Sequence, residues 1–327
     1  MDTAAKVYSQ KEIKAILSDP HKREELSAAN GTNCVVISLD EKVEFIPREF
    51  LPSCPVLGLE KAHHFSSAQY VDCSAVEPIL TEVISSIDST PIAASVLAGL
   101  LRKTLNQTIV DALDSESTAY GLLQRSDEYK RALPLKGSNN MRPDYQPTVL
   151  TRRVDRHLDI FLNRPELHNA YNTNMRDELC SILETVRLDS TIKKVVIRGS
   201  GDSFCSGGEL TEFGMIDDPA YIHIVRTTRN SARLLSEISN ITEARVHGFC
   251  IGAGLELAAF CHKVIAHEAA VFELPEIRYG LIPGAGGTVS LPRRIGRQRT
   301  FLMAILGNRV SAEEAEEIGL VDRILHD

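Results

Sequence analysis

Between His247 and Pro292 the chain reads HGFCIGAGLELAAFCHKVIAHEAAVFELPEIRYGLIPGAGGTVSLP. Two glycine-rich turns, Gly252-Ala253-Gly254 and Gly284-Ala285-Gly286-Gly287, stand close to Glu256 and Glu276. Turns with almost no side chains let backbone N–H groups approach another group closely. Where such a turn opens a helix, those N–H groups have no intrahelical partner and attract negative charge. The dipole alone favours a first-turn carboxylate such as Glu256. Its neighbours Leu255, Leu257, Ala258, Ala259 and Phe260 leave no polar face, however, so the carboxylate is expected to be buried. Glu276 follows Pro275 and also has apolar neighbours; Glu273, just before it, reads as an exposed charge. The stretch therefore offers oxyanion-binding donors and two carboxylates, the parts that proton chemistry beside a carbonyl needs.

The chain around this stretch divides by pattern. Residues 9–28 read as a polar helix interrupted near Pro20. Three β-like runs follow, Cys34–Leu39, Pro55–Leu59 and Gln69–Cys73, with His63-His64 as a surface loop pair. Three amphipathic helices come next. They are marked by Leu80, Val83 and Ile87, by Leu97, Leu101 and Leu105 after Pro91, and by Ile109, Leu113, Tyr120 and Leu123. Each needs a partner surface. Leu133–Pro147, with three prolines and no period, reads as a linker.

From residue 148 strands and helices alternate. Strands are expected at 148–154, 157–162, 194–198, 242–246 and 321–325. A helix capped by Asn172 or Thr173 and a long one from Asp217 to Ile238 lie between them. Ser311-Ala312-Glu313-Glu314 reads as a capping box, with Gly319 as the stop. This alternation predicts an α/β fold.

Several function classes fit poorly. The net charge of −8 disfavours a nucleic-acid partner. Seven scattered cysteines with no CxxC pair point to reduced thiols and a cytoplasmic compartment. No signal peptide and no membrane span is read, so no membrane partner is expected. HExxH is absent, so no catalytic metal is expected. GxSxG is absent too. Gly252-Ala253-Gly254-Leu255-Glu256-Leu257 departs from the dinucleotide fingerprint at Leu257.

Six pieces occur together in order across the second half. They are Asn163-Arg164-Pro165 with Asn169-Ala170; Phe204-Cys205-Ser206-Gly207-Gly208-Glu209-Leu210; Gly252 to Ala258; Leu274-Pro275-Glu276-Ile277; Gly280 to Gly287; and Ala315 to Val321. In these, residues 148–327 resemble the crotonase (enoyl-CoA hydratase/isomerase) superfamily. The resemblance implies a spiral of ββα units, here with a mainly helical N-terminal segment. It implies an acyl-CoA substrate, coenzyme A being part of the substrate and no further cofactor, and a homo-oligomer, trimer or hexamer. The N–H groups of Gly208 and Ala253 would hold the thioester oxygen. Glu276 would exchange the proton at Cα, and Glu256 would activate water for Cβ. His168, Ala170, Cys205 and Ser206 would line the coenzyme path, with Gly207, Gly252 and Gly284 also against the substrate.

The reaction implied first is hydration of a 2-enoyl-CoA, a step typical of fatty acid metabolism, or its reverse. Isomerisation, thioester hydrolysis, C–C cleavage, cofactor-free oxygenation and non-catalytic acyl-CoA binding remain alternatives. Glu209 stands where Asp is usual. Family members continue past the Gly-Leu-Val segment into helices that cover the site, whereas this sequence ends at Asp327. Residues 76–135 resemble that cover, which suggests a permuted arrangement. The expected layout is a small α/β segment (1–75), the helical cover (76–135), a linker (136–147) and the catalytic core (148–327).

Overall fold

The computed structural model describes residues 6–39, 46–60, 69–133 and 143–326. His63-His64 and residues 134–142 of the expected linker lie outside them. The first part builds a parallel sheet in sequence order: β1 (Val7–Tyr8), β2 (Val35–Ser38), β3 (Val56–Leu59) and β4 (Cys73–Ala75). Between β1 and β2 come α1 (Gln10–Leu17), closed by a Ser9/Glu12 capping box, and α2 (Pro20–Glu25), capped by Asp19. The β4 strand starts later than the pattern Gln69–Cys73 suggests. Strand periodicity sorts the residues of this sheet. Val35 and Ile37 pack with Ile13 and Leu17 of α1, while Val36, Leu57 and Cys73 join the large core on the other face.

Four helices follow: α3 (Ile79–Ser89), α4 (Pro91–Thr104), α5 (Ile109–Leu123) and α6 (Asp127–Ala132). Leu80, Val83, Ile87, Leu97, Leu101, Leu113 and Leu123 are all buried in the large core, as their helical spacing requires. No single described helix is long and apolar enough to cross a membrane.

The second half opens with β5 (Val149–Val154), β6 (His157–Leu162), α7 (Thr173–Leu188), capped by Asn172, and β7 (Lys194–Gly199). The expected helix from Asp217 to Ile238 is two helices, α8 (Pro219–Thr228) and α9 (Ser231–Glu237). The break falls where the Asn230 side chain accepts from the Arg233 N–H and starts a new helix. Then come β8 (Thr242–Val246), β9 (Phe249–Ile251), α10 (Ala253–Ala258), β10 (Lys263–His267), β11 (Val271–Glu273), α11 (Gly287–Ile295), α12 (Arg297–Leu306), β12 (Val310–Ser311), α13 (Ala312–Glu317) and β13 (Arg323–Leu325). Strands β8, β10 and β13 enter a six-stranded sheet of order β13-β10-β8-β7-β6-β5, antiparallel only at β5-β6. Strands β9, β11 and β12 form a second sheet of three. The chain thus passes repeatedly between the two sheets, with α10 directly following β9 of the smaller one.

The N-terminal sheet is tied to the rest by a buried charge cluster. Asp72, 1% exposed, accepts a bidentate pair from Arg102 of α4 (2.9 and 2.5 Å) and one bond from Arg297 of α12 (3.3 Å). It also accepts from the Val56 N–H at 2.8 Å. Two arginines on one buried aspartate lose their counter-charge together if it is removed. Asp72→Ala is expected to destabilise the protein by about 3–5 kcal/mol. Urea denaturation checks this; a change within about 0.5 kcal/mol would place the cluster outside the folded core's energetics.

Candidate active site

The glycine-rich turn after β9 sets the geometry. Gly252 has φ +47°, and a Cβ there would stand 2.4 Å from Glu276 Oε1, so only glycine allows this approach. The turn starts α10, so the Ala253 N–H faces out of the helix end. Across from it runs the Cys205–Gly208 loop, held by Cys205 N–H to Phe249 O, Ile251 N–H to Cys205 O and Tyr171 N–H to Gly207 O. Neither the Gly208 nor the Ala253 N–H has a partner among the described residues. Both line one cavity, together with Glu256, Glu276 and Gly284.

Glu256 is 2% exposed. Its Oε2 accepts from the Ala285 N–H (2.5 Å) and the Gly287 N–H (2.7 Å), and Oε1 has no partner among the described residues. Burial pushes its carboxyl well above the ordinary range. The Glu276 and Glu116 charges push it further, against the pull of those two N–H groups. Glu276 heads a 3-10 turn, Glu276–Tyr279. Its Oε2 is buried with no hydrogen bond, and burial first, then the Glu273 and Glu116 charges, lift its carboxyl to about 8. Two neighbouring acids in such a setting share a proton. The two N–H groups favour ionised Glu256, while no donor reaches Glu276 Oε2.

Other expected residues lie around this cavity rather than on its wall. His168 bonds Ser203 Oγ at 3.0 Å and meets the Phe249 ring edge-on. The Ala170 carbonyl accepts from Arg164, and the Ser206 N–H donates to His168 O. Cys205 is fully buried within the loop, with its N–H given to Phe249 O and its carbonyl taken by the Ile251 N–H. Gly207 carries the left-handed bend of the loop at φ +102°. Glu209, the unusual residue, takes a structural part. It receives Arg164 at 3.1 Å, while Arg164 also binds Asp144 at 2.7 Å. Glu273 is not an exposed charge but is buried in ion pairs with Arg278 and Arg309.

The cavity's remaining wall comes from α5 and α8. Glu116, Tyr120 and Arg226 reach it. Glu116 is 2% exposed and accepts from the Gly286 N–H (2.8 Å), the Thr288 N–H (3.0 Å) and Thr288 Oγ1 (2.7 Å). Tyr120 lies so close to Gly284 that a Cβ there would stand 2.4 Å from its ring. The Arg226 guanidinium stacks over Tyr120 at 4.4 Å, stands 3.8 Å from Glu116 and donates to Gly284 O. Sequence reasoning missed all three. The available signal was Glu116 itself, three residues after Leu113 and four before Tyr120 on a face read as apolar.

A family model described as enoyl-CoA hydratase/isomerase matches residues 157–327. A putative enoyl-CoA hydratase/isomerase of Bacillus subtilis (strain 168) is 40% identical over 166 residues, covering 50% of this chain and 64% of that protein. The 2,3-dehydroadipyl-CoA hydratase of Escherichia coli (strain K12) is 36% identical, covering 54% and 68%. The crystal structure of enoyl-CoA hydratase from Thermoplasma volcanium GSS1 superposes with a TM-score of 0.52 at 32% identity, covering 56% and 73%. The chain thus spans just under two thirds of the first relative and somewhat more of the other two.

The elevated Glu276 carboxyl has a consequence for stability. An unfolded glutamate titrates near about 4.3, the folded one at about 8. Between these values the folded state binds more protons, so stability falls as pH rises. Glu276→Gln removes that slope. Its urea midpoint should gain on the wild type from about pH 4 to about pH 8 and level off above. A difference constant across that window contradicts the assignment.

Proposed function

The chain belongs to the enoyl-CoA hydratase/isomerase family, and from that premise we propose that it hydrates a 2-enoyl-CoA to a 3-hydroxyacyl-CoA, or runs the reverse dehydration. The observation carrying this reading is that buried Glu256, half-buried Glu276 with its enclosed Oε2, and two unpartnered N–H groups line one cavity. The thioester oxygen accepts from Gly208 and Ala253, which draws electrons from Cβ and stabilises the enolate-like charge. Glu256 holds water through its free oxygen, takes its proton and directs the oxygen to Cβ. Glu276 gives its proton to Cα. The C–C double bond becomes single, one C–O and one C–H bond form, and the glutamate pair holds one proton before and after. Both carboxylates have work in this reaction, which favours it over the isomerase, hydrolase, lyase and oxygenase readings and over non-catalytic binding.

Loops His168–Ala170 and Cys205–Ser206 form the proposed coenzyme path, with Gly207, Gly252 and Gly284 against the acyl thioester. We also read residues 76–135, whose described helices α3 to α6 span Ile79 to Ala132, as the cover of the site, supplied ahead of the core in the sequence. Supporting this, Glu116 and Tyr120 of α5 line the cavity within the same chain.

A panel of 2-enoyl-CoA thioesters followed by mass spectrometry tests the reading. The expected product is heavier by one water, with Glu256→Gln and Glu276→Gln each lowering kcat by about 10²–10⁴-fold. Because the pair regains its proton count, kcat/KM should follow one bell-shaped pH profile in both directions. The alkaline limb should lie near the Glu276 value of about 8. Free CoA, an isomer of unchanged mass or an oxygenated product would replace hydration with that chemistry. Binding without turnover, indifferent to both substitutions, would remove the enzymatic reading.

A further inference from the structure

Residues Gly284–Thr288 present four successive N–H groups to two carboxylates in alternation. Ala285 and Gly287 donate to Glu256, while Gly286 and Thr288 donate to Glu116. Consecutive peptide planes are joined by only two soft torsions per residue. Turning the Gly286 or Thr288 plane therefore turns its neighbours. The same run is held from outside by Arg226, which donates to Gly284 O and faces Glu116. Tyr120, one turn along α5 from Glu116, packs against Gly284. Glu116 thus fixes the backbone whose other N–H groups grip Glu256, without itself belonging to the glutamate pair.

We propose that Glu116 is a positioning residue for the reaction. By pinning Gly286 and Thr288 it aims the Ala285 and Gly287 N–H groups at Glu256 and so fixes the water-activating carboxylate. This rests on the role given to Glu256 above. A carboxylate suits the task because it only accepts, at two oxygens. Glutamine would present an NH2 to one of these N–H donors. Misplacing a reacting group by about 1 Å can cost about 10²-fold in rate.

The test is a double-mutant cycle on a hydrated 2-enoyl-CoA, with kcat and KM measured for Glu116→Gln, Glu256→Gln and the double variant. Glu116→Gln should lower kcat by about 10–100-fold and leave KM within about twofold, since the aligned group holds water rather than the thioester. The double variant should be no slower than Glu256→Gln alone, because both changes remove one device. Losses that multiply, or a change confined to KM, overturn the proposal. Thr288→Val, which deletes one hydroxyl contact and keeps the N–H groups, is the milder second variant. It should show the same non-additivity at smaller size.

A further readout needs no turnover. Amide exchange followed by NMR should quicken at Ala285 and Gly287 in Glu116→Gln, although neither donates to Glu116. Quickening limited to Gly286 and Thr288 overturns the linkage. If the wild type hydrates nothing, the reaction assigned above fails, and this exchange result alone decides whether Glu116 orders the Glu256 site.

Discussion

The structure around the cavity depends on a five-residue backbone run, Gly284–Thr288, whose N–H groups are divided between Glu256 and Glu116. A buried carboxylate is costly unless hydrogen-bonded, and each of these is satisfied by amides that have no other use at the start of α11. The glutamates come from different halves of the sequence. One opens α10 in the wound core, and the other lies on α5 in the helical segment that precedes it. Both accept from the same run, one on each alternate N–H. The site is therefore a joint product of the two parts of the chain.

Glu276 is treated in the opposite way. It receives no donor at Oε2 and is left beside Gly252, where no side chain intervenes. Two N–H donors on Glu256 and an unbonded Oε2 on Glu276 set two chemically identical groups in separate surroundings. That separation makes the pair usable for moving a proton in and a proton out. The two free N–H groups of Gly208 and Ala253 lie on the same cavity, where charge developing on a carbonyl would be met by dipoles already in position.

Much of this was legible in the sequence, for physical reasons. The glycine turns and the carboxylates among apolar residues announced a buried acid/base site, because few other arrangements tolerate such charges. Helix starts at Asn172, Pro91 and Ser311 followed from cap chemistry. The break at Arg229–Asn230 did not, because the apolar spacing runs on through it and only the Asn230 cap interrupts the helix. Glu116 escaped for a related reason. Periodicity identifies which face of α5 is buried but not which distant amides a polar residue on that face will meet. Glu273 was misread because its arginine partners become neighbours only after β11 turns into the loop that follows. The Asp72 cluster likewise joins residues 72, 102 and 297, which no local pattern connects.

The claim that one chain assembles the whole site from its two parts is tested most directly by a crystal structure with a bound unreactive acyl-CoA analogue. The account predicts the thioester oxygen at hydrogen-bond distance, about 2.7–3.1 Å, from both Gly208 N and Ala253 N. It also predicts that Glu116 of the same chain holds Gly286 and Thr288 beneath it. A thioester bound elsewhere, or a Gly284–Thr288 run ordered without Glu116, would contradict it.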